Sequence, residues 1–280
     1  MVLTPADAEK ILAKVKKEPC LVQDLAQHLH KSWVTTERYV TKLAQEKGLV
    51  KVKTFREGTK GAIKVVYWNY PESAQQDEIK ARAFERITLL SDKKDFSPLE
   101  IYQHVPPKHA RAFYEYYDDP SLATKQHLAS FFRQAQHEVF IFSGNLSFLN
   151  VREGEKRVTD FLEELLERGI TLRILCKVDV ESLGNLHPLD RLLKKYPKQV
   201  DVRHRLHPLR GVLIDRTIAR LKAEKARSDF KARELKQDIR LFYEITDPDW
   251  VDWLQNVFWH LYRHGIDYKA RLRLIEKIMV

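Results

Sequence analysis

The sequence has few cysteines and no long hydrophobic run, and these absences exclude several classes of protein. Its 280 residues include two cysteines, Cys20 and Cys176, which lie too far apart to indicate a disulfide framework or a cysteine-based zinc site. No apolar run approaches the roughly 18 residues that a transmembrane helix needs. The opening MVLTPADAEK lacks the basic and then apolar pattern of a signal peptide. We therefore expect a cytoplasmic protein that does not insert into a membrane.

The motifs of several common enzyme classes are also missing. No glycine-rich phosphate loop, Ser/His/Asp set or pair of catalytic carboxylates stands out along the chain. His187, His204 and His207 form a candidate metal cluster, but no i, i+4 histidine pair and no carboxylate triad supports it. We therefore predict neither a cofactor nor a metal ion.

Positive charge is in excess and is concentrated near the N-terminus. The formal net charge is +10, and residues 1–70 hold 11 Lys and 2 Arg against 7 acidic residues. Such an excess favours a polyanionic partner. A composition of 44% hydrophobic and 31% charged residues is typical of a folded protein, and the length allows two domains.

Residues 20–68 contain the elements of a winged helix-turn-helix in the expected order. Leucines at helical spacing predict a short first helix, and a polar break at Lys31-Ser32 ends it. A second helix follows from about residue 34 to 47, and Gly48 ends that helix where a left-handed conformation is needed. Residues 49–68 then predict a β-hairpin with a turn at Glu57–Gly61, which forms the wing.

The second helix is predicted to turn a polar and basic row away from its own core. Thr36, Val40 and Leu43 share the inward side, so other residues of this helix face outward. In a groove-reading module, this row contacts bases while the wing contacts phosphate. The predicted DNA-binding residues are Lys31, Ser32, Thr35, Arg38, Tyr39, Lys42, Arg56, Lys60 and Lys64. A winged helix that binds only protein is the alternative.

A helical linker is predicted between Ser73 and Leu90. Ile79, Ala83 and Ile87 repeat at three- and four-residue steps, and this stripe either packs within the chain or pairs with a second copy in a dimer. The next stretch, residues 91–120, contains four prolines and is predicted to be irregular, with its aromatic residues forming a small core. Single-strand base stacking on those aromatic residues is the alternative.

The rest of the chain alternates short apolar runs with amphipathic segments. Five strands are predicted, at residues 138–143, 171–176, 200–203, 211–215 and 240–245, and a last long helix runs from Asp247 to His264. This alternation predicts a largely parallel α/β layer. Residues 216–238, which carry an excess of basic residues, are predicted to form a charged helical insertion, either solvated or in contact with DNA.

The C-terminal part resembles half of a phospholipase D-like domain. The resemblance lies in the helix and strand ending at Ser143, a histidine-bearing turn into GVLID, and the closing TDPD and FW segments. In catalytic members, a histidine nucleophile is followed by a lysine two residues later and by an aspartate. Here Arg210 and Asp215 keep the spacing, but Pro208 stands where the nucleophile belongs and His207 is one residue away. Because proline cannot attack phosphorus, the resemblance implies no enzyme.

A winged helix, a helical linker and such a degenerate domain together resemble the TrmB-type sugar-responsive transcription regulators of archaea. The resemblance covers essentially the whole chain and implies a degenerate pocket that senses a sugar-like effector. Polar residues near strand ends are the candidates for that pocket, because open α/β sheets bind ligands there. The tentative ligand-binding residues are Ser143, Asn145, Arg205, His207, Arg210 and Asp215. The charged insertion is a departure from the family pattern.

These observations predict an α+β protein in three parts. They are a winged helix at residues 1–70, a linker or dimerisation helix at 71–95, and an α/β phospholipase D-like half-domain at 96–280. The expected function is that of a transcriptional regulator that binds double-stranded DNA, forms a homodimer and responds to a ligand. The alternatives are a phosphodiesterase or nuclease using His207, Arg210 and Asp215 across a dimer interface, and an architectural protein that coats duplex DNA without sequence preference.

Overall fold

A computed structural model describes residues 3–56, 62–69, 76–117, 127–229 and 237–279 of the chain. The fold is α+β, as predicted, with a smaller sheet near the N-terminus and a larger one in the C-terminal part. The predicted turn at Glu57–Gly61 lies outside the described residues, as do residues 70–75, 118–126 and 230–236.

The N-terminal module, residues 3–69, contains its elements in the order predicted for a winged helix. It comprises α1 (Pro5–Lys17), β1 (Cys20–Leu21), α2 (Val22–Leu29), α3 (Trp33–Lys47), β2 (Val50–Arg56) and β3 (Ala62–Trp68). The strands form one antiparallel sheet in the order β1-β3-β2. The three helices cover one face of this sheet and bury a core that includes Ile11, Leu25, Val40 and Val66.

The linker helix α4 (Gln76–Leu89) packs within its own chain. Its Ala83 and Ile87 are buried, and Ile87 belongs to the core of the C-terminal part. Ile79, Phe84 and Leu90 pack against the same core. Of the two alternatives for the apolar stripe, the structure therefore has intrachain packing.

The C-terminal part is built on one large mixed sheet. Its described strands are β4 (Ala110–Tyr116), β5 (Glu138–Phe142), β8 (Thr171–Cys176), β9 (Val200–His204), β10 (Gly211–Ile214), β11 (Ile218–Lys225), β12 (Ile239–Ile245) and β13 (Ile266–Asp267). They lie in the order β13-β9-β8-β5-β10-β11-β12-β4, and a separate hairpin joins β6 (Arg152–Glu153) to β7 (Lys156–Arg157). Five helices accompany these strands in the described chain: α5 (Leu99–Tyr102), α6 (Leu128–Arg133), α7 (Val158–Glu167), α8 (Leu183–Lys195) and α9 (Pro248–Arg263), with α10 (Tyr268–Met279) as the closing helix.

Three of the sequence predictions about this part are wrong. Only β5, β8 and β9 are parallel among the described strands, so the sheet is not largely parallel. The stretch 91–120 is not irregular throughout, because it contains the short helix α5 and the edge strand β4. Residues 218–225, predicted as part of a helical insertion, form β11 in the middle of the sheet.

Alternation along the strands separates two layers of core. Leu221, Leu241 and Tyr243 point to the face covered by α4, α5 and α9, while Val139, Ile141 and Ile174 point to the face covered by α6, α7, α8 and α10. The first core also includes Leu21 and Ile63 of the N-terminal module. The N-terminal module therefore packs onto the face that also carries α4, α5 and α9, and α6, α7, α8 and α10 cover the other face.

Candidate nucleic-acid interface

The start of α3 is set by a hydroxyl cap. His30 adopts a left-handed conformation with φ 54°, which ends α2 and lets the chain turn. Ser32 is the N-cap of α3, and its Oγ accepts a hydrogen bond from the Thr35 amide at 3.2 Å. The hydroxyls of Ser32 and Thr35 also lie 2.9 Å apart. Both predicted positioning residues therefore lie at the N-terminus of the helix, where the helix dipole favours an anion.

The outward face of α3 is polar and basic. Arg38 and Lys42 are one helical turn apart and exposed, and Thr41 and Gln45 beside them are exposed as well. The inward face follows the prediction, since Thr36, Val40 and Leu43 are all buried. None of the exposed described side chains from Val34 to Gln45 is acidic. This face does not pack against the C-terminal part, because the helix packs against α1, α2 and β2 within its own module.

Tyr39 was predicted to face outward, and that prediction is wrong. The side chain is 3% exposed and belongs to the core of the N-terminal module. It lies three residues after Thr36 and four before Leu43, so helical geometry places it beside both. Tyr39 is therefore a packing residue in this fold.

Two of the predicted lysines take part in ion pairs. Lys64 pairs with Glu37, which joins β3 to the flank of α3. Lys31 lies 3.5 Å from Asp7 of α1. Of the other predicted wing residues, Lys60 lies outside the described residues, and so does the side chain of Arg56.

The hairpin presents its second face to the C-terminal part of the chain. Lys53 of β2 donates a hydrogen bond to the Tyr102 hydroxyl at 3.1 Å, and its ammonium lies 4.4 Å from the centre of that ring. Burial lowers the pKa of Lys53. Lys225 of β11 lies 3.4 Å from Asp24 of α2. Lys53 of the hairpin and Lys225 of the large sheet therefore both help to hold the module on the sheet.

His207 and Arg210, two of the tentative ligand-binding residues, are neighbours in the turn before β10. His207 is 2% exposed, and its Nε2 lies 3.3 Å from the Leu175 carbonyl. Burial, with a smaller contribution from the nearby Arg210, lowers the pKa of His207 to about 3. Arg210 donates to the carbonyls of His207 at 3.0 Å and Leu209 at 2.7 Å. His207 is thus a neutral core histidine, while Arg210 points along the surface of a cavity.

Asp215 lies at the opposite end of β10. Its carboxylate accepts hydrogen bonds from the backbone amides of Gln136, His137 and Glu138, at 2.5, 2.9 and 2.7 Å. The four residues of β10 lie between it and Arg210, and the five residue steps span about 16 Å at a strand rise of ~3.3 Å. Asp215 therefore anchors the entry into β5, and His207, Arg210 and Asp215 do not form one site.

Ser143 and Asn145 follow β5 and line the same cavity as Arg210. The Ser143 hydroxyl accepts from the Leu146 amide at 3.2 Å, and Asn145 Oδ1 accepts from the Ser147 amide at 3.3 Å. Arg205 follows β9 and is not among the residues that line this cavity. The structure thus brings three of the six tentative residues together.

We call this space the sheet cavity. It has a volume of about 360 Å³ and lies between the β10-β11-β12 face, α6 and the loop after β5. The polar residues that sequence reasoning missed come mainly from β11 and β12, namely Arg220, Lys222, Glu224 and Arg240, together with Lys93 and Tyr117. The sequence signal for the residues of β11 was the alternation of apolar and charged residues along 219–224, because a period of two is typical of a strand.

Within the described part of the chain, no helix is both long and apolar enough to span a bilayer.

The three histidines of the candidate metal cluster do not converge in the described structure. His187 is exposed, His204 Nδ1 accepts from the Val178 amide at 2.8 Å, and His207 is buried. No group of three or more His, Cys, Asp or Glu residues in the described ranges is placed to hold a metal ion.

Comparison with solved structures gives matches of low sequence identity. TrmBL2, described as an archaeal chromatin protein with a novel mode of DNA binding, is 17% identical and matches over 95% of this chain and 94% of its own, with a TM-score of 0.40. Nuc from Salmonella typhimurium, a phospholipase D family member, is 12% identical over 57% of this chain and 98% of its own, with a TM-score of 0.41. NucT from Helicobacter pylori is 16% identical over 57% of this chain and 99% of its own, also with a TM-score of 0.41.

What each of those proteins binds is a property of that protein. No protein-family model matches the sequence, and no curated protein matches it.

Proposed function

We propose that this chain is a DNA-binding protein that places α3 of its winged helix against double-stranded DNA. The observation that carries the proposal is the outward face of α3, which exposes Arg38 and Lys42 and has no acidic side chain among its described exposed positions. Arginine and lysine donate to guanine edges and to phosphate oxygens, so such a face suits a DNA groove. Lys51 on the hairpin is exposed as well and adds positive charge beside the helix.

The location of this face within the chain supports the proposal. The N-terminal module attaches to the large sheet through Ile63, Val65 and Lys53 on its hairpin, whereas α3 lies on the other side of the module's own core. Attachment to the sheet therefore leaves the basic row exposed. The cap at Ser32 and Thr35 holds the helix N-terminus rigidly, and the amides there can meet a phosphate.

Regulation of transcription and a homodimer are further parts of the proposal. Two copies related by a two-fold axis would match the two half-sites of a palindromic site. Because the apolar stripe of α4 is used within its own chain, a dimer contact would have to come from another surface. Light scattering combined with size-exclusion chromatography measures the mass directly.

Phosphodiester cleavage is not part of this proposal, because His207, Arg210 and Asp215 do not come together in one site.

The test begins with selection of bound duplexes from a random pool at near-physiological salt. An enriched sequence is expected, and Arg38→Ala should lower the preference for it over random duplex by about tenfold, as loss of one base contact predicts. Lys42→Ala should weaken binding and reduce its salt dependence. Lys269→Ala, which removes an exposed lysine from α10, is the matched control and should bind like the original protein.

Equal losses on selected and random duplex from both Arg38→Ala and Lys42→Ala would contradict a base-reading role for α3. An unenriched pool with uniform protection of the duplex would favour the architectural alternative. If Lys269→Ala weakened binding as much as the α3 variants, the interface would have been placed on the wrong part of the chain.

A further inference from the structure

The face of the large sheet that lines the sheet cavity carries charges in an ordered pattern. The residues that β11, β12 and β4 direct to this face form three rows of register partners across the strands. In the two outer rows, the charges of neighbouring residues alternate in sign. One of these outer rows is Arg220, Glu244 and Arg111, and the other is Glu224, Arg240 and Glu115. Such alternation is the stable arrangement, because opposite charges on neighbouring strands attract.

The middle row breaks this pattern. Lys222 is in register with Phe242 and then Phe113, and on its other side the Lys222 amide donates to the Arg210 carbonyl at 2.8 Å. Arg210 and Lys222 are therefore cross-strand neighbours, whose Cβ atoms are expected about 5 Å apart. Two like charges in this arrangement repel each other, and this described row contains no acid to separate them.

The other cations of the cavity have their charge compensated within the protein. Arg220 donates to Glu244 at 2.6 and 2.9 Å, and its guanidinium lies 3.7 Å from the centre of the Phe131 ring. Arg240 lies 3.8 Å from the Tyr117 ring centre. Lys222 contacts Glu224 at 2.8 Å, and Glu224 is shared with Lys93. Burial raises the pKa of Glu224, but Lys222 and Lys93 outweigh it and bring the value to about 2, so the carboxylate stays charged.

Arg210 differs from them. Its hydrogen bonds go to two backbone carbonyls, and no ion pair joins it to a carboxylate among the described residues. Burial lowers the pKa of Arg210, and the negative charges of Glu224 and Asp92 oppose that effect. The guanidinium lies flat against Gly144, where an added Cβ would come within 2.8 Å of Nε and Nη2. Because Gly144 has no side chain, the Arg210 guanidinium can occupy this space.

The remaining wall of the cavity is largely aromatic. Phe131 and Phe132 of α6, Phe148 of the segment after β5 and Phe242 of β12 line it. Aromatic walls favour an apolar or aromatic ligand body, which buries large contact area. A volume of about 360 Å³ is at the small end of the range for ligand pockets.

We propose that the sheet cavity binds a small organic anion, whose carboxylate or phosphate group is held by Arg210 and Lys222 and whose apolar body lies among Phe131, Phe148 and Phe242. An anion between the two cations removes their repulsion and supplies the negative charge that the middle row lacks. A guanidinium can hold either a carboxylate or a phosphate through two parallel hydrogen bonds. A neutral sugar would leave this repulsion in place, and a cation would add to it.

This proposal does not rest on DNA binding, so its test contains no DNA. Isothermal titration calorimetry on the full chain uses phenyl phosphate and benzoate as the anionic probes. Benzyl alcohol is the neutral probe of similar size, and maltose represents the sugar alternative. The variants are Arg210→Gln, Lys222→Gln and Gly144→Ala, and Lys269→Gln is the matched control for loss of a distant exposed lysine.

We expect at least one of the two anions to bind with one site per chain, and benzyl alcohol and maltose to bind at least tenfold more weakly. Arg210→Gln and Lys222→Gln should each weaken anion binding at least tenfold, while Lys269→Gln should not change it. Gly144→Ala keeps both cations but displaces the guanidinium, so it should also weaken binding, and it serves if Arg210→Gln fails to fold. Which anion binds more tightly distinguishes phosphate from carboxylate ligands.

The proposal is overturned if neither anion binds, or if benzyl alcohol or maltose binds as tightly as the anions. It is also overturned if Lys222→Gln and Gly144→Ala bind the anion as tightly as the original chain. Because DNA is absent from every titration, a failure here says nothing against the role proposed for α3, and failed DNA binding says nothing against the cavity.

Discussion

His207 is an ionisable residue that the fold keeps in its uncharged form. It lies inside the C-terminal core, with its ring 5.5 Å from that of Phe142 and in an edge-on arrangement. Water cannot solvate an imidazolium there, so burial is the main cause of its low pKa of about 3. A histidine in such a position contributes packing, and it contributes to stability only while it stays unprotonated.

This neutrality gives the free energy of unfolding a predictable dependence on pH. In the unfolded chain the pKa of histidine is about 6.5, so between that value and pH 3 the unfolded state binds the extra proton and stability falls as the pH falls. Replacing His207 by leucine removes this contribution. Between pH 7 and pH 5 the unfolding free energy of His207→Leu should fall by about 2 kcal/mol less than that of the original chain. Urea denaturation at both pH values measures this difference, and parallel pH profiles would contradict it.

Tyr39 shows what residue types alone do not reveal. A tyrosine on a basic helix suits both a DNA contact and a core position, and the prediction placed Tyr39 outward because it was not among the three residues assigned to the inward side. Its spacing from Thr36 and Leu43 placed it inward, and the structure follows the spacing. The positions of Thr36, Val40, Leu43, Arg38 and Lys42 agree with the predicted sides of the helix, because each of them satisfies periodicity and chemistry together.

Between elements, one ion pair joins the proposed recognition helix to the hairpin. Glu37 of α3 and Lys64 of β3 are in contact, with side chains 22% and 25% exposed. The pair lies beside the outward face of α3 and fixes the angle between helix and wing. Partly exposed pairs contribute little each, because solvent screens them and two side chains must be ordered.

A double-mutant cycle should detect this contact. Lys64→Gln and Glu37→Gln are each expected to lower the unfolding free energy, and the coupling between them should be about 0.5 to 1 kcal/mol. Urea denaturation of the four proteins measures it, and additive losses would show that the two side chains act independently.

The same four proteins, tested on duplex DNA, also decide whether Lys64 contacts phosphate. If it does, Lys64→Gln must weaken DNA binding even when Glu37 has already been replaced.

The strand β11 is an element whose type was not predicted correctly from the sequence. Its residues Ile218–Lys225 include alanine, lysine and glutamate, which are good helix formers, and this composition led to the predicted helix. Cross-strand partners on both sides decide the structure instead. The turn before it has Asp215 and Arg216 at φ 46° and 57° without any glycine, so the usual sequence signal of a tight hairpin was missing. Helices with caps, such as α1 after Thr4 and α9 after Asp247, were predictable from local chemistry.

At the scale of the molecule, the two halves share a hydrophobic core. Leu21, Ile63 and Val65 of the N-terminal module belong to one buried cluster with Tyr102 and Leu241 of the C-terminal part. Composition and periodicity predicted both halves but could not predict this contact, because a hairpin with one apolar face can pack on a sheet, a helix or a partner. The sheet cavity lies on the opposite face of β11 and β12 from this shared core.

Because a shared core ties the halves together, the chain should unfold in a single cooperative transition. Ile63→Asp places a carboxylate in that core, where an unpaired charge is costly, so it should separate the unfolding of the N-terminal module from that of the sheet. Hydrogen exchange across a urea series resolves the two halves. Val34→Asp is the control, since Val34 is 51% exposed and its replacement should leave one transition. Two transitions in the original chain would mean that the halves fold independently and that their contact contributes little stability.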